Sequence, residues 1–263
     1  MAKTIFMIHG MFGGPWYWEN YIRVFEREGY HCVATTLPYH NIGAGEVPDA
    51  RLGTVSLLEY ADALEKEISK LDSKPILMGH SMGGLLAQML ASRGVAEAVV
   101  LLTPASPAGI VAVRPSVIKS FWSVLTTWGC WRKPMRLTFD EASYSMLYLL
   151  PLGEQKEIYD RFIYESGRVM FEIAFWLFDS THASSVDEDK VTCPVLVIAG
   201  SKDRITPASV VRRVASKYKA VSTYKEFDDH CHWVVSEPGW QDVANYVMRW
   251  LEPLGEKNTS IPR

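Results

Sequence analysis

The feature that most constrains this chain is a serine placed between a short apolar segment and a helical pattern. Residues 75–78 predict a buried strand, and the run G-H-S-M-G at residues 79–83 separates that strand from the helix that follows. A serine in so tight a strand-to-helix turn adopts a strained backbone, and glycines two residues to either side let neighbouring segments pass closely. The turn also puts Ser81 at a helix N-terminus, where free N–H groups favour negative charge. We therefore predict Ser81 as a nucleophile, with a serine in an ordinary turn as the alternative.

Short apolar runs alternate with helical patterns along most of the chain. Strands are predicted at 4–8, 32–37, 75–78, 98–103, 194–199 and 222–227. Helices are predicted at 16–28, 56–71, 82–93, 207–218 and 241–251. Strands that are apolar along their whole length and separated by helix-length segments are typical of a parallel sheet covered on both faces. The predicted fold class is therefore α/β, with a mostly parallel central sheet and helices on both faces.

The alternation breaks once, between residues 104 and 190, where no strand pattern is visible and aromatic residues are frequent. We predict an inserted helical cap at 104–190, with residues 1–103 and 191–252 forming the core. Most of these aromatic side chains are expected to pack the insert against the sheet, because apolar residues at helical spacing usually face a core. A minority should line a pocket. Residues 253–263 carry Pro, Gly, Asn and Ser without periodicity and are predicted to form a flexible tail.

A serine hydroxyl is a weak nucleophile at neutral pH, so it needs a base and a third group that orients the base. Asp203 follows the fifth predicted strand, at the edge where open α/β sheets bind ligands. His230 and His232 follow the sixth strand at the same edge, and both are candidates for the base. Asp228 and Asp229 are alternative acids, but residues so close in sequence to the base seldom fold back onto its far nitrogen. We expect those two to be solvated charges.

Four sequence signatures together carry a resemblance to a known family. They are I-H-G-M-F-G-G at 8–14, G-H-S-M-G-G at 79–84, G-S-K-D at 200–203, and H-W at 232–233 followed by E-P at 237–238. From residue 4 to 251 the chain resembles the α/β-hydrolase superfamily, in the branch of serine esterases, lipases and cofactor-free perhydrolases with a short helical cap. The predicted insert at residues 104–190 matches the cap of this family only in its position along the chain. The resemblance implies a triad of Ser81, Asp203 and His232, and leaves His230 a supporting role in the loop.

The resemblance also implies which backbone groups stabilise a developing negative charge. In the family, the residue after the His-Gly pair and the residue after the nucleophile each contribute one backbone N–H. Here those residues are Met11 and Met82. Because both donate through the backbone, their side chains matter little, and one such donor contributes about 3 kcal/mol. His9 and His80 flank these positions and are expected to stabilise the two loops.

The activity implied by the resemblance is cleavage of carboxylic esters through an acyl-enzyme, without a cofactor. The aromatic insert predicts an apolar ester as substrate. The candidate substrate contacts are Phe12, Trp16, Trp122, Trp128 and Trp176. The same fold and triad also support perhydrolysis, carbon–carbon bond hydrolysis, thioester hydrolysis and hydroxynitrile (cyanohydrin) cleavage, so these remain alternatives. A ligand sensor that turns over slowly is the alternative from outside the enzymes.

Composition and spacing argue against several other classes of function. A formal net charge of -3, with no block of Lys and Arg, predicts no nucleic-acid partner. The glycines at 10–14 do not have the G-x-G-x-x-G spacing of a dinucleotide site. The run His230-Cys231-His232 has no second ligand cluster at zinc-like spacing, so no metal is predicted.

The sequence leads us to expect neither a secretion signal nor a membrane span. No secretion signal is visible, and no apolar run reaches the ~20 residues of a membrane span. The four cysteines lie far apart and are predicted to be small core residues in a reducing cytoplasm. A small-molecule ester is the expected partner, and the oligomeric state is left open.

Overall fold

Six parallel strands form the central sheet in the computed structural model, which describes residues 2–256. The described strands are β1 (Thr4–Ile8), β2 (His31–Ala34), β3 (Ile76–His80), β4 (Ala98–Leu102), β5 (Pro134–Met135), β6 (Glu165–Ser166), β7 (Val195–Gly200) and β8 (Ser222–Phe227). The sheet order is β2-β1-β3-β4-β7-β8, and every neighbouring pair in it is parallel. The predicted α/β class is confirmed.

Helices cover both faces of this sheet. The described α-helices are α1 (Glu19–Arg27), α2 (Leu57–Ile68), α3 (Met82–Ser92), α4 (Pro115–Ser120), α5 (Trp122–Thr126), α6 (Phe139–Ala142), α7 (Leu152–Asp160), α8 (Gly167–Ala174), α9 (Ala208–Lys217) and α10 (Trp240–Glu256). Successive strand residues enter two separate apolar clusters, because side chains alternate across a strand. Leu77 and Val99 pack with α2, α3 and α9, whereas Met78 and Val100 pack with α1 and α10.

The insert leaves the sheet after β4 and returns to it at β7. It carries α4 to α8 and the antiparallel pair β5-β6, which the sequence analysis missed because two-residue strands show no periodicity. Buried carboxylates of the insert reach groups of the core. Glu165 accepts a hydrogen bond from the Tyr60 hydroxyl at 2.8 Å, and Glu172 accepts one from Leu57 N at 2.8 Å. The second bond satisfies a free N–H in the first turn of α2.

The last helix extends further than predicted. α10 continues through a proline to Glu256, so the expectation of a tail from residue 253 is wrong for residues 253–256. Leu254 packs against the apolar cluster, and Lys3 Nζ donates to its carbonyl oxygen at 2.8 Å. Those contacts hold the last turn although proline removes one N–H donor. Residues 257–263 of the predicted tail lie outside the described residues.

Among residues 2–256, no helix is long and apolar enough to cross a bilayer.

Candidate active site

Ser81 lies in the turn between β3 and α3 with an unusual backbone conformation. Its φ is 54° and its ψ is -120°, a combination that costs a residue with a side chain about 1–3 kcal/mol. A Cβ atom on Gly79 would overlap the carbonyl of Gly83, and one on Gly83 would overlap the carbonyl of Ile8. Both glycines are therefore required by the close passage of β1, β3 and α3, as the sequence predicts.

The backbone around Ser81 is tied to the end of β4. Ser81 N donates to Leu102 O at 3.0 Å, and Ala105 N donates to Ser81 O at 2.9 Å. The side chain of Ser81 retains 9% of its exposure. Met82 is the first residue of α3, so its N–H has no acceptor within the helix. This N–H belongs to the residue directly after the serine, in the first turn of a helix whose dipole favours negative charge.

The loop after β1 lies against the Ser81 turn. A Cβ atom on Gly10 would lie 3.0 Å from Ser81 Cβ, so Met11 begins beside the serine. The Tyr17 hydroxyl donates to Met11 O at 2.8 Å and holds this loop in place. Met11 N makes no hydrogen bond to any other described residue. Two backbone N–H groups, from Met11 and Met82, are thus available near the Ser81 turn.

His232 and Asp203 form a buried pair at the same edge of the sheet. His232 Nδ1 lies 2.8 Å from Asp203 Oδ2. Asp203 also accepts from Ile205 N at 2.7 Å, from Thr206 N at 2.8 Å and from the Thr206 hydroxyl at 2.8 Å. Burial acts to raise the pKa of Asp203, but the neighbouring His232 and these donors outweigh it and hold that pKa below 3.8. An ionised Asp203 assigns the proton of His232 to Nδ1 and leaves Nε2 as the acceptor.

The backbone of His232 is connected to the residue before Ser81. His80 Nε2 donates to His232 O at 2.8 Å, and the two rings lie 5.0 Å apart. Burial lowers the pKa of His80 to about 3, with the nearby His232 adding to the effect, so His80 is neutral. Among the described residues no hydrogen bond joins Ser81 Oγ to His232. Bonds between a nucleophile and its base are often long before substrate binds.

His230 pairs with a different carboxylate. Its Nδ1 lies 2.9 Å from Glu237 Oε1, and Glu237 also accepts from Cys231 N at 3.0 Å and from the Cys231 thiol at 2.6 Å. A Cβ atom on Gly239 would lie 3.1 Å from His230 Nε2, so the other side of the ring is packed. Glu237 is fully buried and holds the loop that carries His232.

Asp228 and Asp229, the acids that directly precede these histidines in the sequence, are solvated. Asp228 is exposed, and Asp229 is 82% exposed in an ion pair with Lys202 at 2.6 Å. Neither reaches a ring nitrogen of His230 or His232 within the described part of the chain.

A cleft of about 370 Å³ lies between the core and the insert. It is lined by Gly13, Gly14, Pro15, Trp16, Thr36, His40, Asn41, Ile42, Ala44, Arg161 and Ile163. The guanidinium of Arg161 lies 4.3 Å from the centre of the Trp16 ring, at the rim. Trp16 thus lines a cleft whose walls include neither Ser81 nor His232, and its role as a substrate contact stays a prediction.

The other predicted substrate contacts do not line this cleft. Phe12 is fully buried and stacks on Phe162 of the insert at 6.2 Å, which puts its ring in the core. Trp122 and Trp128 are 59% and 86% exposed. Trp176 is half-buried in a 3-10 turn. Short helices of the insert turn these tryptophans toward solvent, which the periodicity of the sequence does not reveal.

His40, which has no motif around it in the sequence and for which a surface or structural role is expected, belongs to a buried ion pair beside the cleft. His40 Nε2 lies 3.1 Å from Glu165 Oε2, and both side chains are fully buried. Burial acts to lower the pKa of His40, but the charge and hydrogen bond of Glu165 outweigh it and raise that pKa above 6.5. Burial acts to raise the pKa of Glu165, but the charge and hydrogen bond of His40 outweigh burial and hold that pKa below 4.5. A charged pair therefore joins the loop after β2 to the insert.

Comparisons with known proteins agree with this architecture. Residues 5–244 match the model of the alpha/beta hydrolase family. Protein ABHD8 of Bos taurus is 24% identical over 241 residues, which are 89% of this chain and 52% of that protein. The chain therefore spans about half the length of this relative.

Two solved structures share the fold at low sequence identity. The methylesterase MES16 from Arabidopsis has a TM-score of 0.70 and 13% identity, covering 95% of this chain and 99% of its own. The monoacylglycerol lipase of Paleococcus ferrophilus has a TM-score of 0.68 and 22% identity, covering 95% of this chain and 96% of its own.

Proposed function

The chain belongs to the α/β-hydrolase family, and we propose that it hydrolyses carboxylic esters of apolar small molecules through Ser81, His232 and Asp203. Membership of this family supports hydrolase activity. The observation that carries the finer proposal is the pairing of two features at one sheet edge. Ser81 has a strained positive φ at the start of α3, and the buried His232 donates through Nδ1 to Asp203 at 2.8 Å.

In the acylation half of the proposed reaction, Ser81 Oγ attacks the ester carbonyl carbon while His232 Nε2 takes the serine proton. Asp203 stabilises the imidazolium that forms. The N–H groups of Met11 and Met82 bind the oxyanion, and each such donor contributes about 3 kcal/mol. The tetrahedral intermediate then collapses, and the leaving alcohol takes the proton from His232. The acyl group is left on Ser81 as an ester.

In the deacylation half, water gives a proton to His232 Nε2 and attacks the acyl carbonyl carbon. The second tetrahedral intermediate binds its oxyanion to the same two N–H groups. Its collapse releases the carboxylic acid and returns the proton from His232 to Ser81. The covalent intermediate thus replaces one difficult step by two easier ones, and the scheme requires no cofactor.

The insert, residues 104–190, acts in this proposal as a cap over the carboxyl edge of the sheet. The cleft between the insert and the core supports this role, because its walls include Trp16 from the core and Ile163 from the insert. Apolar walls of this kind hold the apolar part of a small molecule while a few polar groups orient it.

Covalent labelling with a fluorophosphonate, followed by peptide mapping, tests the proposal directly. We expect the label on Ser81, steady turnover of p-nitrophenyl esters with a preferred acyl length, and loss of both in Ser81→Ala. Ser92→Ala is the matched control, since Ser92 ends the same helix and its hydroxyl donates to Met89 O. A label on another serine contradicts the nucleophile, and a labelled Ser81 without turnover of any ester contradicts the substrate class.

A further inference from the structure

Large apolar side chains are exposed together on one part of the insert. They are Trp122, Trp128, Trp131, Phe175, Leu177 and Phe178, and we call them the aromatic face. Trp128 is 86% exposed, Phe178 77% and Leu177 69%. Single exposed apolar residues need no explanation, but a contiguous group of them marks a site of interaction.

The aromatic face is continuous from Trp128 to Phe175, although two distant segments build it. The rings of Trp128 and Trp131 lie 5.6 Å apart, and Trp131 lies 6.4 Å from Phe171 of α8. Phe171 in turn stacks on Phe175 at 5.4 Å, next to the turn that carries Leu177. Phe171 thus links the segment after α5 to the segment after α8.

The chain segment that carries Trp122, Trp128 and Trp131 is positively charged. Residues 98–139 contain five Lys and Arg and no Asp or Glu, so the other residues carry all 30 acidic side chains against 22 basic ones. Arg114, Lys119, Arg132 and Lys133 are exposed, and none of them forms an ion pair among the described residues. Lys133 Nζ donates to Trp128 O at 2.8 Å, which puts an ammonium group within the aromatic face.

The carboxylates near the second segment are hidden from the surface. Glu172 of α8 is fully buried and paired with Arg168 at 2.8 Å. Asp179, which follows Phe178, is buried and accepts from Thr181 N at 3.0 Å. Within residues 167–180, neither carboxylate is therefore exposed beside the aromatic face.

We propose that the aromatic face docks the protein on the surface of a bilayer that contains anionic phospholipid. Tryptophan and phenylalanine side chains enter the boundary between headgroups and acyl chains, and nearby Lys and Arg are attracted to anionic headgroups. A second copy of the chain fits less well, because a two-fold contact through this face brings Arg132 and Lys133 of both copies together. The inference goes beyond ester hydrolysis and does not depend on it.

Co-sedimentation with vesicles tests the docking. We expect the protein to bind vesicles of mixed phosphatidylcholine and phosphatidylserine more tightly than vesicles of phosphatidylcholine alone, and to lose that difference at high salt. Replacing Arg132 by Glu should weaken binding to the mixed vesicles by about fivefold or more, the effect of about one basic residue near an anionic surface. Brominated lipid should quench tryptophan fluorescence of the wild-type protein, a readout that needs no variant.

Two double variants distinguish vesicle binding through the aromatic face from vesicle binding through any exposed apolar side chain. Trp128→Gln with Phe178→Gln should weaken vesicle binding by about tenfold or more, because two large side chains no longer leave water. Val47→Gln with Leu152→Gln is the matched control, since those residues are 92% and 57% exposed outside the aromatic face. The control pair should bind like the wild type, and so should Ser81→Ala.

Three results would overturn the docking proposal. They are no binding of the wild type to the mixed vesicles, equal losses in the two double variants, and self-association in solution that Trp128→Gln with Phe178→Gln abolishes. The last result would make the aromatic face an interface between copies. Failure of the ester proposal would appear separately, as absent turnover with vesicle binding intact.

Discussion

Two histidines in the loop after β8 each donate through Nδ1 to a buried carboxylate, yet their surroundings differ. His232 pairs with Asp203 at 2.8 Å, and His230 pairs with Glu237 at 2.9 Å. Asp203 comes from the loop after the neighbouring strand β7, whereas Glu237 precedes α10 in the same loop as its histidine. The backbone of His232 is also bonded to His80, directly before Ser81, and the far nitrogen of His230 faces Gly239.

A histidine in contact with a buried carboxylate is therefore not, by that contact alone, a catalytic base. Glu237 spreads its hydrogen bonds over His230 and Cys231, so it shapes the loop. Asp203 also accepts from N–H groups of its own loop, but the ring that it orients follows a neighbouring strand, and Nε2 of that ring is unpaired among the described residues. In the proposed triad, we expect the neighbour of the second ring nitrogen to decide which histidine acts as the base.

The largest effect that bears on this comparison comes from the proposed nucleophile and base. We expect Ser81→Ala and His232→Ala to lower kcat by about 10⁶-fold each, since members of a triad act as a unit. His230→Ala should cost about tenfold, as expected for a residue that holds a loop. Steady-state kinetics on a p-nitrophenyl ester, with circular dichroism to check folding, measures all three. A larger loss in His230→Ala than in His232→Ala reverses the assignment.

A matched amide substitution of the two carboxylates sharpens the contrast. Asp203→Asn should lower kcat by about 10⁴-fold, because the amide no longer fixes the tautomer of His232. Glu237→Gln should lower the unfolding temperature and cost far less in kcat, since its partners are loop groups. Kinetics and thermal unfolding on both variants give the two readouts. Equal losses of kcat in the two variants would mean that Asp203 and Glu237 contribute equally to catalysis, which contradicts the proposed assignment.

A third buried pair, His40 with Glu165, extends the comparison to stability. Because folding raises the pKa of His40, its contribution to stability is complete below pH 6.5. That contribution is lost as the pH rises through the folded pKa. Because folding lowers the pKa of Glu165, its contribution to stability is complete above pH 4.5. That contribution is lost as the pH falls through the folded pKa. The pair therefore stabilises most between pH 4.5 and 6.5.

Breaking that pair should destabilise the protein within this window. Glu165→Gln should lower the free energy of unfolding by about 3–5 kcal/mol, because it leaves one partner of a buried pair alone. Urea unfolding at several pH values should show that the loss shrinks as pH rises through the pKa of His40. Asp49→Asn, which breaks an exposed pair with Arg51, is the control and should leave the pH profile unchanged. A pH-independent loss in Glu165→Gln would contradict a charged pair.

The smallest effect concerns a residue that the sequence analysis did not single out. The Thr206 hydroxyl donates to Asp203 Oδ2 at 2.8 Å. Thr206→Val should lower kcat by about fivefold with KM unchanged, since one hydrogen bond of about 1 kcal/mol acts through Asp203 and not on the substrate. Thr206→Ser should restore the rate. A rise in KM, or no rescue by serine, would show that Thr206 does not act through Asp203.

Features that depend on neighbours along the chain could be predicted from the sequence. The predicted bounds of β1 and β8 agree with the structure, and the strained turn at Ser81 follows from the glycines at 79 and 83. Strand periodicity and the steric demands of a tight turn are local, so the residues beside them carry the whole signal. The order of Ser81, Asp203 and His232 along parallel strands also predicts one sheet edge for all three, because such strands end on the same side.

Which distant groups meet, and which side chains face the solvent, became visible in the tertiary structure alone. His40 and Glu165 are 125 positions apart, and no local pattern marks either as half of a buried pair. The tryptophans of the insert show the same limit, since helical spacing predicts an apolar face but not whether that face meets the core or the solvent. Burial of a charge is tolerated only where a partner is present, and for His40 and Glu165 the path of the whole chain determines where that partner lies.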